Sequence, residues 1–232
     1  MSTLSYTCLL LDLDGTLVDS GPGITASVTA ALTELDVPVP DANVLRSFVG
    51  PPMRETFREV VGLDEVTAER AVRLYRRHYA EIGALDSSVY DGVPELLDAL
   101  AASGLPMAVA TSKVEDQAVR LTEHYGLAAR LVTVCGTSDA DGRSTKREVI
   151  RECLRRMHER GVDVSSPLMV GDRGYDVLSA AAEGVPAIHV LWGYGSPDES
   201  AEALATAASP EALARLLLRS NASKPPAVAP SS

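Results

Sequence analysis

The chain has 232 residues, which is enough for one sizeable hydrophobic core or for a core with a modest second unit. Its net charge of −11 at pH 7 and its aromatic content of 4% argue against a nucleic-acid-binding surface. Such a surface needs positive charge to attract phosphates and aromatic rings on which bases can stack.

Short apolar runs, each closing on polar residues or glycine, recur along the chain and predict strands. They lie at 8–13, 107–110, 131–134, 168–170 and 187–191. Most of them lack polar alternation, which is typical of parallel strands that are covered on both faces. Helical patterns that end at a glycine separate the later runs. These patterns lie at 93–103, 114–125, 145–160 and 175–183. The alternation predicts an α/β fold with a doubly wound parallel sheet, a Rossmann-like core.

The interval from Ser20 to Ser88 breaks this alternation, because only helical patterns occur in it. These patterns lie at 24–35, 41–48, 53–61 and 67–82. We therefore predict a small α-helical cap domain inserted after the first strand. The predicted division is an α/β core at 1–17 and 88–219, a helical cap at 18–87 and a disordered tail at 220–232. The tail is predicted from its content of Ser, Ala and Pro.

Two aspartates, Asp12 and Asp14, stand at the end of the first predicted strand and are followed by Gly15 and Thr16. Side chains alternate along a strand, so these two carboxylates project to the same side, about 7 Å apart along the backbone. They lie where open α/β sheets bind ligands. One can act as a nucleophile and the other as a general acid or base. An Asp-Gly turn would explain Asp14, but not Asp12, whose unpaired charge inside a strand is costly.

Hydroxyl and ammonium groups follow two later elements. Thr111 and Ser112 come directly after a predicted strand, where a hydroxyl can bind a phosphate oxygen or can simply cap the next helix. Lys146 opens a predicted helix, and a cation does not stabilise that end of a helix. This placement favours a ligand-binding role for Lys146, with a solvated surface lysine as the alternative. For Lys113 the two interpretations are equally good.

A second acidic pair, Asp172 and Asp176, follows the strand predicted at 168–170. The two residues are four apart, so on a helix they would share one face. Clustered carboxylates at a sheet edge, without a neighbouring histidine or thiolate, favour a hard cation, and Mg²⁺ fits better than zinc. The alternative is that Asp172 caps the following helix.

Cysteines, histidines and the N-terminus indicate the compartment. The three cysteines are far apart and form no CxxC pair, and the four histidines form no HxxxH or HExxH pair. A disulfide framework or a zinc site is therefore not expected. The first residues lack the features of a signal peptide, and no run approaches the roughly 20 apolar residues that span a bilayer. We expect a cytoplasmic protein with no membrane partner. Nothing in the sequence indicates an oligomeric state.

The DxDGT strand end, the strand-end Thr-Ser pair, the later lysine and the GDxxxD segment, in this order, resemble the haloacid dehalogenase superfamily over about residues 7–219. Within it, the chain is most similar to phosphoglycolate phosphatase-like enzymes. The segment from Trp192 to Ser196 is also similar to a bacterial 5′-nucleotidase-like branch. The resemblance implies a Mg²⁺-dependent phosphatase that hydrolyses a small phosphate monoester through an aspartyl-phosphate intermediate.

The resemblance also implies roles for the candidate residues. Asp12 would become phosphorylated, and Asp14 would protonate the leaving oxygen and then activate water. Asp12, the Asp14 carbonyl and Asp172 would hold Mg²⁺, with Asp176 supporting the metal or the lysine. Thr111 and Lys146 would bind the transferring phosphoryl group. Gly15 and Thr16 would shape the phosphate loop. Together with Ser112 and Arg54, which are candidates from the sequence itself, they form the expected substrate-binding set.

Several alternatives stay open at the level of the sequence. Arg54, in a proline-rich turn between cap helices, could contact an anionic substrate tail or could lie in solvent. A β-phosphoglucomutase-like mutase would keep all four motifs, and a non-catalytic phosphometabolite sensor is a further alternative. The expected partner is a small phosphorylated metabolite, which can be phosphoglycolate, a nucleotide, a sugar phosphate or pyrophosphate.

Overall fold

A six-stranded parallel sheet forms the centre of the protein in the computed structural model, which describes residues 6–81, 83 and 86–221. The strands are β1 (Cys8–Leu11), β4 (Met107–Val114), β5 (Thr133–Thr137), β6 (Pro167–Gly171), β7 (Ala187–Val190) and β8 (Ala205–Ala207). Their order is β5-β4-β1-β6-β7-β8, and every pairing is parallel. A separate antiparallel pair consists of β2 (Val18–Asp19) and β3 (Ser88–Val89).

Helices occupy the connections between these strands. Between β2 and β3, the helices are α1 (Gly21–Glu34), α2 (Ala42–Arg46), α3 (Met53–Glu59) and α4 (Glu65–Glu81). Around the large sheet they are α5 (Val93–Ala102), α6 (Glu115–His124), α7 (Lys146–Glu159), α8 (Gly174–Ala181) and α9 (Pro210–Asn221), with short 3₁₀ turns at Ala128–Arg130 and Pro197–Ser200. Residues 20–87, between β2 and β3, are called the helical insertion below. Among the residues that the structure describes, no helix is both long and apolar enough to cross a membrane.

Strand β1 lies at the middle of the sheet, and all four of its side chains are buried. Leu9 and Leu11 pack with side chains of α5, α6 and α9 on one face, whereas Cys8 and Leu10 pack with α7 and α8 on the other. Helices therefore cover both faces, which explains why the run lacks polar alternation. The predicted α/β fold with a doubly wound parallel sheet is confirmed.

The helical insertion has an apolar cluster of its own, distinct from the two clusters of the sheet. Phe48 and Phe57 meet edge to face at 5.1 Å between ring centroids, and Tyr75 and Tyr79 stack at 5.7 Å. The chain leaves the sheet through β2 and returns through β3, so the two ends of the insertion lie side by side. This geometry fixes where the insertion stands relative to the carboxyl end of β1.

The structure differs from the sequence prediction mainly at polar or short segments. Strand β4 continues to Val114 instead of ending at residue 110, because residues 111–113 are polar but still extended. Strands β2, β3 and β8 have two or three residues, too few to show a periodic pattern. Helix α9 was not predicted, and Ser220 and Asn221, placed in the predicted tail, end this helix. The rest of that tail, 222–232, lies outside the described residues.

The packing predicts that two leucines on helices differ sharply in their contribution to stability. Leu97 on α5 is fully buried, whereas the Leu178 residue on α8 is 53% exposed. Leu97→Ala should lower the free energy of unfolding by about 2–5 kcal/mol, because it leaves a cavity in the sheet's core. Leu178→Ala should change it by less than about 0.5 kcal/mol. Urea unfolding of both variants measures the difference, and similar losses would contradict this account of the core.

Candidate active site

Three buried carboxylates converge at the carboxyl end of the sheet. The amide of Asp12 donates to the carbonyl of Val170 at 2.9 Å, which continues the β1–β6 ladder one residue beyond β1. Asp172 follows β6 directly, and Asp176 lies in the first turn of α8. Oxygens of the three aspartates lie within 4.8 Å of one another, and each residue is at most 3% exposed. The predicted carboxylates therefore meet, although Asp172 precedes the helix instead of lying on it.

Lys146 is the cation of this carboxylate cluster. Its Nζ lies 2.7 Å from Asp12 Oδ1 and 2.7 Å from Asp176 Oδ1, and the residue is 1% exposed. The start of α7 is fixed by a capping box in which Thr145 and Glu148 satisfy each other's backbone amides. Burial alone would lower the pKa of Lys146, but the two facing carboxylates raise it, so the ammonium stays charged. The alternative of a solvated surface lysine is wrong.

Lys146 leaves the cluster with an excess of negative charge. Burial raises the pKa of Asp12 to about 7, although the Lys146 ammonium acts in the opposite direction. Burial, followed by the charges of Asp176 and Asp12, also raises the pKa of Asp172 well above its usual range. Bringing a hard divalent cation among these oxygens would relieve the repulsion, and carboxylates without histidine or thiolate are the donor set that such a cation prefers. The residues present therefore fit a divalent metal.

Glycines let the backbone close around Asp172. A Cβ at Gly15 or at Gly193 would overlap with the Asp172 side chain, and a Cβ at Gly171 would overlap with Asp176. Gly15 also has a φ of 82°, in the left-handed region. The sequence placed Gly15 in the substrate-binding set, and the structure brings it against Asp172 of the carboxylate cluster.

Thr16 and Tyr194 hold the Asp172 carboxylate from two sides. Thr16 Oγ1 donates to Oδ1 at 3.3 Å, and the amide of Tyr194 donates to Oδ2 at 2.7 Å. Trp192 Nε1 donates to the Thr16 carbonyl at 3.0 Å and so ties the two loops together. The 192–194 loop was not predicted to be part of the site from its chemistry, because its contribution is made by a backbone amide and by Gly193.

Asp14 does not share the cluster of Asp12. Its Oδ2 lies 3.0 Å from Lys113 Nζ, and its Oδ1 accepts a hydrogen bond from Ser20 Oγ at 2.5 Å. Lys113 also donates to the hydroxyl of Tyr79 at 3.0 Å. Lys113 is therefore buried and paired, not solvated. The two aspartates of the DxD motif thus have separate cations, Lys146 for Asp12 and Lys113 for Asp14.

Thr111 and Ser112 lie directly before Lys113, near the end of β4. The alternative that either caps α6 is wrong, because the N-cap residue is Val114 and no side chain caps this helix. The Thr111 hydroxyl accepts a hydrogen bond from the Lys113 amide at 3.2 Å. Ser112 Oγ is buried and has no hydrogen-bond partner within the described part of the chain. Buried hydroxyls are normally satisfied, so Ser112 has a free position for a ligand.

A cleft of about 260 Å³ separates the sheet edge from the helical insertion. Asp14, Ser112 and Lys113 line it from the sheet, and Arg54 and Tyr75 line it from the insertion. The Arg54 side chain is 53% exposed and forms ion pairs with Glu65 and Glu69, the latter at 3.0 Å. Arg54 therefore borders the cleft, but it already has acidic partners within the insertion.

Polar contacts seat the insertion on the sheet edge, and none of them was evident from the sequence. Arg173 Nη1 donates to the carbonyl of Val49, and its Nε lies 3.1 Å from Glu199 Oε2. A Cβ at Gly50 would overlap with the Arg173 side chain. On the other side of the cleft, Arg76 pairs with Asp139 at 2.7 Å. These partners lie 26 to 124 residues apart, so no local pattern links them.

The protein has a parallel sheet with helices on both faces and buried carboxylates at its carboxyl edge. This combination defines an α/β enzyme whose candidate active site is a carboxylate cluster that fits a divalent metal. Residues 9–190 match the family model of the haloacid dehalogenase-like hydrolases. The chain belongs to this family, and it is a hydrolase. The resemblance stated from the motifs is confirmed.

The chain is similar in sequence to proteins that are named for several different activities. A 5′-nucleotidase of Pseudomonas aeruginosa is 40% identical over 85% of this chain and 88% of its own length. Tyrosine-protein kinase PtkA of Mycobacterium tuberculosis is 41% identical over 82% of this chain and 64% of its own length. A phosphoglycolate phosphatase of Cupriavidus necator is 33% identical over 85% of this chain and 87% of its own length. A crystal structure of a predicted phosphatase from Clostridium acetobutylicum has a TM-score of 0.86 and 37% identity, covering 93% of this chain and 99% of that one.

The raised pKa values predict how stability depends on pH in a chelator. The folded-state pKa of Asp12 is about 7, above the unfolded value of about 4, so the folded state keeps a proton that the unfolded state has lost. This contribution is fully present below about pH 4 and is lost as pH rises to about 7. In EDTA, Asp12 should therefore lower the free energy of unfolding from pH 5 to pH 7, by up to about 1.4 kcal/mol per pH unit for one retained proton, whereas His189, whose pKa is lowered by burial, contributes in the opposite direction.

Urea unfolding in EDTA across this range measures the slope for the wild type and two variants. Asp172→Asn removes one buried carboxylate and should make the slope shallower. Asp91→Asn, at an exposed position, should keep the wild-type slope. Identical slopes for the wild type and Asp172→Asn would contradict the arrangement of charges described above, because His189 contributes equally to both.

Proposed function

We propose that the protein is a Mg²⁺-dependent phosphatase that hydrolyses a small phosphate monoester through phosphorylation of Asp12. The observation that carries this proposal is the position of Asp12, whose carboxylate shares a buried cluster with Asp172 and Asp176 and is held by Lys146. Family membership and the phosphatases among the relatives support it.

Electrostatics explains why the reaction needs these cations. A carboxylate and a phosphate dianion 4 Å apart repel each other by about 8 kcal/mol at an effective dielectric constant of 20. Lys146 offsets part of this repulsion, and its position is fixed because Asp176 holds the same ammonium. Mg²⁺, which Asp12 and Asp172 would hold together with the Asp14 carbonyl, supplies the remaining positive charge when bound.

Each residue of the chain then has a defined step. A carboxylate oxygen of Asp12 attacks phosphorus, while Asp14 protonates the departing ester oxygen and afterwards takes a proton from the attacking water. Ser112 Oγ and the Thr111 hydroxyl bind phosphoryl oxygens at the end of β4. Gly15 and Thr16 keep Asp172 in place. The helical insertion acts as the cap, excludes water from the cleft and supplies the groups that face the rest of the substrate.

Two classes of phosphate ester are candidate substrates, and they differ in the group that would occupy the cleft. Phosphoglycolate was the first choice from the sequence, and the C. necator relative carries that activity in its name. A nucleoside 5′-monophosphate is the second candidate, and the P. aeruginosa relative favours it. Tyrosine phosphorylation is not proposed, because the chain covers only 64% of PtkA.

Metal dependence and the nucleophile are tested together with p-nitrophenyl phosphate. Phosphate release should occur with Mg²⁺, stop in EDTA and return when Mg²⁺ is restored. Asp12→Asn should lower kcat by about 1,000-fold or more, because an amide of the same shape cannot attack phosphorus. Asp91→Asn, exposed and outside the cleft, serves as the control for a lost carboxylate and should retain activity. Full turnover in the chelator, or in Asp12→Asn, would refute the proposed function.

The role of Arg54 is tested with a matched neighbour. Arg54 and Arg58 lie on α3, are similarly exposed and both pair with Glu65, but only Arg54 borders the cleft. Arg54→Ala should raise KM for phosphoglycolate about tenfold, which corresponds to about 1.4 kcal/mol, and should leave KM for p-nitrophenyl phosphate unchanged. Arg58→Ala should change neither value. A panel that adds nucleoside monophosphates identifies the preferred ester, and equal KM changes for all esters would count against a role in selectivity.

A further inference from the structure

The ammonium of Lys113 lies between two groups that belong to different parts of the fold. On the sheet side, Nζ is 3.0 Å from Asp14 Oδ2. On the side of the insertion, it is 3.0 Å from the hydroxyl of Tyr79 and 4.3 Å from the centroid of the same ring. The Lys113 side chain is 3% exposed. The contacts of the Lys113 ammonium at 3.0 Å are thus the Asp14 carboxylate and the Tyr79 hydroxyl.

Packing within the insertion holds the Tyr79 side chain in one place. It lies on α4, is fully buried, and stacks on Tyr75 at 5.7 Å within the apolar cluster of the insertion. A Cβ at Gly83 would lie 2.9 Å from Cδ2 of Tyr79, so the backbone also closes over the ring. A flexible lysine loses rotamer freedom when it is held by such a partner, and the hydroxyl and ring of Tyr79 favour one of its rotamers.

The other oxygen of Asp14 is bound by Ser20, at the first junction of the insertion. Both oxygens of Asp14 thus have partners that depend on the insertion: Ser20 directly, and Tyr79 through Lys113. This is not the case for Asp12, whose cation Lys146 comes from α7 of the sheet. The insertion therefore contacts one of the two aspartates of the motif and leaves the other to the sheet.

We propose that Tyr79 is a positioning residue for the reaction, which orients the carboxylate of Asp14 through Lys113 when the helical insertion is seated on the sheet. The proposal rests on the proposed function, in which Asp14 delivers a proton to the departing oxygen. Tyr79 itself does not touch the reacting atoms. Its effect is to make proton delivery dependent on the cap, so that Asp14 is aligned only over an enclosed substrate.

Proton delivery can be separated from other steps by varying the leaving group. A strongly acidic phenol departs as its anion without protonation, whereas a weakly acidic phenol needs the proton. Phenyl phosphate, p-nitrophenyl phosphate and 2,4-dinitrophenyl phosphate have rings of similar size and increasingly acidic phenols. The value of kcat/KM reports all steps up to transfer of the phosphoryl group. Its dependence on the acidity of the leaving phenol therefore measures how much protonation by Asp14 accelerates that transfer.

Tyr79→Phe removes the hydroxyl that contacts Lys113 but keeps the aromatic ring, so it should weaken protonation of the leaving group by Asp14. We expect kcat/KM for phenyl phosphate to fall about tenfold or more and that for 2,4-dinitrophenyl phosphate to fall less than about twofold. Leu74→Ala, which weakens the apolar packing of the same helix without removing a phenol, is the control for a purely structural change, and any loss that it causes should be the same for the three esters. A purely structural role of Tyr79 would likewise lower all three values equally.

A double variant tests whether Tyr79 acts through Lys113. Lys113→Met keeps most of the side-chain volume and should itself steepen the leaving-group dependence, whether or not Tyr79→Phe folds well. Adding Tyr79→Phe to Lys113→Met should then change little, because the partner is already absent. Additive losses, a uniform loss in Tyr79→Phe, or no loss would overturn the role of Tyr79 while leaving the phosphatase intact. A wild type without Mg²⁺-dependent release from any ester would instead remove the proposed function and this role with it.

Discussion

The repulsion among the buried carboxylates of Asp12, Asp172 and Asp176 is the constraint that organises the sheet edge. A buried charge is costly unless it is paired, and here the Lys146 ammonium pairs with two of the three acids, Asp12 and Asp176. The surrounding structure supplies what the acids need: α7 begins at a fixed place and delivers Lys146, and two loops donate hydrogen bonds to Asp172. Buried carboxylates with strongly raised pKa values, such as Asp12 and Asp172, are typical of functional sites.

The DxD motif is divided between two electrostatic environments. Asp12 belongs to the acidic cluster and shares Lys146, whereas Asp14 pairs with Lys113 and accepts a hydrogen bond from Ser20. Different surroundings are what allow two neighbouring carboxylates to perform different steps. The spacing of two residues brings both to the same edge, and the lysines then separate their surroundings. The described contacts of Asp12 come from elements around the sheet, whereas those of Asp14 involve the insertion.

The sequence was sufficient for the elements whose signals are local. Apolar runs located the strands that Asp12 and Asp172 directly follow, and parallel strands bring their carboxyl ends to one edge, so convergence followed from the fold class. The contacts of Tyr79 with Lys113 and of Tyr194 with Asp172 could not be predicted in this way, because they link residues 34 and 22 positions apart through tertiary packing. The sequence also predicted the end of β4 too early, at residue 110. The last residues of this strand are extended but polar, so the apolar pattern stops before the strand does.

The boundary between the helical insertion and the sheet edge, called the seam here, is more polar than the apolar clusters on either side of it. Each side buries its own apolar cluster, whereas the described contacts across the seam are mainly ion pairs and hydrogen bonds, such as Arg76 with Asp139 and Arg173 with Val49. Partly exposed ion pairs contribute little net stability, about 0–1 kcal/mol each. Exposed pairs of this kind therefore hold the insertion on the sheet less firmly than apolar burial holds either cluster together. In the proposed reaction the substrate would enter between the insertion and the sheet, and the contact of Tyr79 with Lys113 would be lost and regained as the cleft opens and closes.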